Sequence, residues 1–122
     1  SSAASDVYKR QARGKIKKAE GDMAIPLKRT TDILKWLGEH RRPNQIICGF
    51  SMETENLLDN SKKKLISKNC DMICANSLSS EGSGFGSDTN VITLITESGM
   101  ESLEKMSKDE AAHIILDRLI KL

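Results

Sequence analysis

No apolar run in this chain approaches the ~20 residues that a membrane helix needs, and no secretory signal opens it. Net charge is only +2, which argues against a general nucleic-acid binder. Aromatic residues make up 3% of the chain against 30% charged residues, a globular balance rather than a disordered one. The three cysteines are an odd number, and Cys70 and Cys74 are not spaced as a metal-binding pair. No catalytic triad, zinc spacing or internal repeat is present. No Gly-x-Gly-x-x-Gly follows an apolar run, which disfavours a dinucleotide-binding domain. The 122 residues suffice for one modest domain.

What is present is concentrated between positions 49 and 90. Gly49-Phe50-Ser51-Met52-Glu53-Thr54 is followed by Lys64 and Lys68, then Asp71-Met72-Ile73-Cys74-Ala75-Asn76, then Gly84-Phe85-Gly86-Ser87-Asp88-Thr89-Asn90. The order reads strand, loop, basic helix, strand, glycine loop. It places turns, a ring and two lysines at one end of a sheet, where open α/β folds bind nucleotides. Positive charge is local, in Lys15/Lys17/Lys18, Arg41/Arg42 and Lys62/Lys63/Lys64/Lys68. Lys62 and Lys63 read as a solvated face.

The remaining elements follow from pattern. Residues 23–27 read as a short edge strand, because Pro26 cannot donate to a ladder. Thr30 or Thr31 caps a helix carrying Ile33, Leu34 and Leu37 that stops at Gly38, with Trp36 as packing. Residues 46–50 read as a buried strand ending at Phe50. A helix over 55–68 carries Leu58, Leu65 and Ile66 on its apolar side, and Leu57, Ser61, Lys64 and Lys68 as an adjacent row. One helical step separates Lys64 from Lys68, so both ammonium groups reach one ligand. Residues 72–75 form a second buried strand, making a βαβ unit. Residues 78–88 are a loop, and 91–96 a strand. Ser98-Gly99 is a turn, with 101–104 pairing back. Ser107 and Glu110 form a capping box for a last helix buried through Ala112, Ile115, Leu116 and Leu119. Cys48 and Cys74 lie in apolar runs and read as buried free thiols in a reducing cytoplasm. His40 and His113 read as surface histidines.

The quoted motifs, with Lys15-Ile16-Lys17-Lys18, Thr31-Asp32-Ile33-Leu34 and Met106-Ser107-Lys108, resemble the C-terminal part of bacterial phosphopantothenate–cysteine ligase, also called the DNA/pantothenate metabolism flavoprotein. The resemblance runs from about Lys15 to the C-terminus. It implies an α/β, Rossmann-like sheet with flanking helices, truncated at its N-terminal side. Residues 1–11 do not share the resemblance and read as a non-native, adapter-like leader, leaving 12–122 as the C-terminal portion of the ligase domain. The family joins 4′-phosphopantothenate to cysteine through an acyl-cytidylate made from CTP. The resemblance implies CTP as cosubstrate, Mg²⁺ as cofactor, FMN only where a decarboxylase domain is fused upstream, and a homo-oligomer, a dimer in the family. It implies no nucleic-acid or membrane partner. Lys15 matches the lysine of a flap that closes over the nucleotide, a catalytic role. Thr31, Asp32, Ile33 and Leu34 match a nucleotide-contacting turn, with Thr31 where relatives often carry proline. Phe50, Lys64 and Lys68 match residues that bind CTP. Phe85, Asn76 and Asn90 match loop-shaping positions. Glu53 and Asp88 are weak candidates for Mg²⁺, and the metal ligands stay unassigned. The family's glycine-rich phosphate turn and its intermediate-converting asparagine have no counterpart after Ala12, so the chain alone is expected to be inactive. The alternative is a non-catalytic nucleotide-binding or interaction module of the same fold.

Overall fold

The computed structural model describes residues 7–8, 14, 20–77 and 89–122, with 7–8 and 89–90 described by backbone alone. The chain divides into two units, Ser1–Ile33 and Leu34–Leu122. In the first, β1 (Val7–Tyr8) pairs antiparallel with β2 (Lys28–Arg29). The strand expected over residues 23–27 is not formed. Pro26 removes a ladder donor, and Met23, Ile25 and Leu27 are all exposed, so no packing partner holds that stretch extended against a sheet.

Helix α1 (Ile33–Glu39) runs through Gly38 rather than stopping there. Gly38 is buried, and a Cβ on it would strike the backbone carbonyl of Lys68. Glycine is required here for close approach between elements, not as a helix terminator. Trp36 is half exposed rather than packed in the core. It stacks on His40, ring centroids 4.2 Å apart, and the His40 Nδ1 lies 2.8 Å from the Trp36 carbonyl.

The second unit is built on a four-stranded sheet in the order β3-β4-β6-β7. β3 (Cys48–Glu53) and β4 (Met72–Ser77) are parallel, joined by α2 (Leu57–Ser67). This is the expected βαβ unit, although β3 begins and ends later than its apolar run suggests. β5 (Thr89–Asn90) lies outside this sheet and pairs with β8 (Met106–Ser107). β6 (Ile92–Thr96) runs antiparallel to β4, and β7 (Gly99–Ser102) returns beside β6 as a hairpin, two residues earlier than the expected arm at 101–104 and with Gly99 in the strand. The fold is α/β with flanking helices, as expected, and its sheet is mixed.

Two apolar clusters cover the two sheet faces. Met72, Cys74, Ile92 and Leu94 pack under α3 (Lys108–Ile120) through Ala111 and Ile115. Ile73, Ala75 and Ile95 pack under Leu65 of α2 and Leu34 of α1. The alternation of β4 side chains between the faces is the pleat itself. Within α2, Leu65 is buried while Leu58 is exposed and Ile66 is 79% exposed. The row 57, 61, 64 and 65 therefore turns inward, one step round from the expected apolar side. In α3 the buried stripe is Ala111, Ile114, Ile115 and Leu119, with Ala112 and Leu116 outside. The capping box is formed as expected: Glu110 N–H donates to Ser107 Oγ at 3.2 Å, and Ser107 N–H to Glu110 Oε2 at 3.1 Å.

α2 ends in a Schellman arrangement that sequence pattern did not reveal. Cys70 N–H donates to the Leu65 carbonyl at 2.9 Å and Asn69 N–H to Ile66 at 3.1 Å, with Asn69 left-handed at φ 52°. That geometry closes orphan carbonyls at the helix end. Asn69 also donates through Nδ2 to the Gly38 carbonyl at 2.9 Å, tying α2 to α1. Cys48 and Cys74 are free thiols with sulfurs 3.5 Å apart, Cys74 fully buried and Cys48 partly so. The hydrogen bond shared with Cys48 and the loss of water push the Cys74 thiol upward.

Candidate functional site

At the carboxyl end of β3 four polar side chains, Ser51, Glu53, Asn60 and Lys64, are joined by hydrogen bonds. Strand alternation puts Gly49, Ser51 and Glu53 on the face toward α2, and Cys48, Phe50 and Met52 on the face toward α3. Gly49 is buried because a Cβ there would meet Leu34 and Ile73 side-chain carbons at 2.6 and 2.9 Å. Ser51, two residues on, is 2% exposed.

α2 runs back along this face and delivers Lys64 to it. Lys64 Nζ donates to Glu53 Oε1 at 2.5 Å and to Ser51 Oγ at 3.0 Å. Ser51 Oγ donates in turn to Glu53 Oε1 at 2.7 Å, and Asn60 Nδ2 donates to Glu53 Oε2 at 3.3 Å. Asn60 is itself steadied by the Glu55 carbonyl at 3.2 Å. The Glu53 side chain is 12% exposed and that of Lys64 39%. The Lys64 ammonium, then the Ser51 hydroxyl, hold the Glu53 carboxyl below the usual carboxylate range. The arrangement presents a half-exposed cation whose position is set from beneath.

Lys68 lies one turn beyond Lys64, its N–H donating to the Lys64 carbonyl at 3.0 Å. It is the C-cap of α2 and is partly buried. Phe50 is mid-strand rather than at a strand end. Its side chain is 64% exposed, and it lies on the α3 face, opposite Lys64. The structure thus joins Lys64 to Glu53 and Ser51, and separates Phe50 from them by the thickness of an edge strand. Asn76, expected in a loop, is within β4 opposite Met52 and Ile92. Its Oδ1 is shut from solvent without a hydrogen-bond partner among the described residues.

Thr31, Asp32 and Ile33 are exposed at the start of α1, and Leu34 packs against the α2-side cluster. Lys15, Phe85 and Asp88 lie outside the described residues. Glu53 does not fit a role as metal ligand, since one of its oxygens takes Lys64 and Ser51 and the other Asn60. No cluster of three or more His, Cys, Asp or Glu suited to a metal occurs among the described residues. No described helix is long and apolar enough to cross a membrane. Sequence reasoning gave Ser51 and Asn60 no role of their own. The signal available was their spacing: Ser51 and Glu53 share a strand face, and Asn60 and Lys64 share a helix face one step apart.

At the opposite end of the parallel strands Arg41 has a structural role. It pairs with Asp71 Oδ2 at 2.7 Å and donates to the Gln45 and Asn69 carbonyls at 2.7 and 3.1 Å. The same Asp71 oxygen accepts Ile47 N–H at 2.8 Å. One basic residue of the Arg41/Arg42 pair is thereby spent on joining loops.

A helix-crossed parallel strand pair carrying an anchored cation at its carboxyl edge defines an open α/β domain, a class whose ligand sites lie at that edge of the sheet. The chain belongs to the DNA/pantothenate metabolism flavoprotein C-terminal domain family, whose model it matches over residues 1–122. It is 43% identical over 109 residues to the coenzyme A biosynthesis bifunctional protein CoaBC of Bacillus subtilis (strain 168), covering 88% of this chain and 27% of that protein. It is 41% identical over 109 residues to a cysteine/cysteine sulfinic acid decarboxylase from an unknown prokaryotic organism, covering 88% of this chain and 30% of that one. Among solved structures it is similar to the C-terminal domain of coenzyme A biosynthesis bifunctional protein CoaBC, with TM-score 0.66 and 38% identity over 78% of this chain and 46% of that one. The chain thus spans less than a third of the length of these two curated relatives.

Proposed function

We propose that this chain supplies the CTP-binding and flap-bearing part of a phosphopantothenate–cysteine ligase in coenzyme A biosynthesis. The observation that carries the reading is the anchored Lys64 ammonium at the carboxyl edge of β3, in a chain of this family. In this reading the carboxylate of 4′-phosphopantothenate attacks the α-phosphate of CTP and pyrophosphate leaves. The amine of cysteine then attacks the acyl-cytidylate, CMP departs and an amide remains. Both steps gather negative charge on phosphate oxygens, and fixed cations stabilise that charge most where they need not reorganise. Lys64 meets this requirement. Lys68 adds a second cation, Phe50 packs on the base or ribose from the other side of the edge strand, and Thr31 to Leu34 contribute the turn. Lys15 closes over the reacting groups and excludes water.

Calorimetric titration with CTP tests the assignment. Lys64→Ala and Lys68→Ala are each expected to weaken binding by about 1–3 kcal/mol, the worth of a charge-assisted hydrogen bond. Lys62→Ala, on the exposed side of α2, is expected to leave it unchanged. Loss at Lys62 with none at Lys64 would rule the assignment out. In a protein carrying a whole ligase domain with these residues, turnover with CTP but not ATP, UTP or GTP is the corresponding result for the reaction.

A further inference from the structure

Lys64 is a long side chain with four rotatable carbon bonds, and a free lysine at a helix surface samples many rotamers. Here it is confined. Its ammonium donates two hydrogen bonds inward, to Glu53 Oε1 and Ser51 Oγ. Glu53 is itself confined, by the Ser51 hydroxyl at 2.7 Å and the Asn60 amide at 3.3 Å. Ser51 is buried in the sheet. The restraint therefore passes from the strand backbone through two side chains to a cation that is still 39% exposed. An ammonium has three N–H donors, and two of them are used inward.

We propose that Glu53 is the positioning residue for Lys64, holding its ammonium aimed outward for the phosphates of the bound nucleotide. The proposal rests on the reading of Lys64 as a nucleotide-binding cation, and it deepens that reading by giving the carboxylate a task other than metal binding. Glu53 acts through Lys64 and touches no substrate.

Two simple expectations oppose each other here, which makes the proposal decidable. Coulomb's law alone says that removing a carboxylate near a polyanion site tightens binding. Positioning says the reverse, because an unanchored lysine must be ordered when the nucleotide arrives, and immobilising one long side chain costs about 2- to 12-fold in affinity. The experiment uses the 122-residue chain with CTP as probe, in four forms: parent, Glu53→Gln, Lys64→Met, and both together. The expected result is that Glu53→Gln weakens CTP binding by about 2- to 12-fold, and that the double variant binds no more weakly than Lys64→Met alone. Equal or tighter binding by Glu53→Gln would overturn the proposal. So would a loss of the same size in the Lys64→Met background, since that would mark a merely structural role. A nucleotide-free readout separates this from the underlying reading. The ¹⁵N–¹H signals of the lysine ammonium groups are expected to include one slowly exchanging group that disappears both in Lys64→Met and in Glu53→Gln. Persistence of that signal in Glu53→Gln would overturn positioning whatever the nucleotide does. Absence of CTP affinity in the parent with the ammonium signal present would overturn the nucleotide reading, and the proposal with it, while leaving the ion pair established.

Discussion

Gly38 lies against the backbone carbonyl of Lys68 so closely that a methyl group has no room. Gly38→Ala raises intrinsic helix propensity, yet it is expected to destabilise the fold by about 1–3 kcal/mol through overpacking. Urea unfolding reads this directly, and an unchanged midpoint would show that α1 shifts freely. Glu53 makes a second prediction at this scale. Its folded pKa is lowered, first by Lys64 and then by Ser51, relative to an unperturbed glutamate near about 4.3. A group of that kind contributes stability above its unfolded pKa and loses it as pH falls through the folded one. Glu53→Gln is therefore expected to be less stable than the parent at pH 7, with the gap closing below about pH 4. Denaturation midpoints at both pH values test it, and a gap that widens in acid would contradict the ion-pair assignment. Neither residue's role follows from composition. A glycine near a helix end reads as a stop, and a lone carboxylate in a loop-like stretch reads as solvated.

The helices teach a different lesson about elements. The boundaries of α3 are set by local chemistry, and Ser107 and Glu110 form the capping box that their spacing implies. Its buried face is another matter. Ala111, Ile114, Ile115 and Leu119 face the sheet, while Leu116 is 57% exposed. A run as apolar as Ala111-Ala112-His113-Ile114-Ile115-Leu116 fits two stripes about one residue apart, and periodicity does not choose between them. The sheet chooses, by offering Met72, Cys74, Ile92 and Leu94 as partners. Ile115→Ala is expected to cost about 2–5 kcal/mol and Leu116→Ala no more than about 0.5 kcal/mol. Thermal unfolding distinguishes them, and comparable losses would mean the outer face of α3 is covered in solution. The same ambiguity explains α2, where the row through Ser61 and Lys64 turns toward the sheet and Ile66 is left outside.

At the scale of the second unit, the parallel pair has a polar knot at each end. Arg41 and Asp71 close the amino end, and Glu53, Ser51, Asn60 and Lys64 form the carboxyl end. The two differ in what they leave over. Arg41 spends its guanidinium on a carboxylate and two carbonyls within the protein, whereas Lys64 keeps part of its ammonium exposed. Arg41→Ala is accordingly expected to lower stability by about 1–3 kcal/mol without changing CTP affinity. Paired unfolding and titration measurements check both halves, and a loss of affinity with stability intact would move the nucleotide to the other end of the sheet.

The parallel strands, the helix between them, the β6–β7 hairpin and the capped last helix were legible from pattern, because each is fixed by interactions within a few residues: alternation, a turn, a cap. Candidate lysines and the phenylalanine were legible from motif order. Tertiary structure alone decided which side of each helix is buried, that Gly38 and Asn69 lock α1 to α2, and that Phe50 and Lys64 occupy opposite faces of β3. It alone joined Glu53 to a lysine eleven positions away. The physical reason is common to all of these. Each depends on which atoms of a distant segment fill the neighbouring space, and packing of that kind is settled only when the sheet and its helices come together.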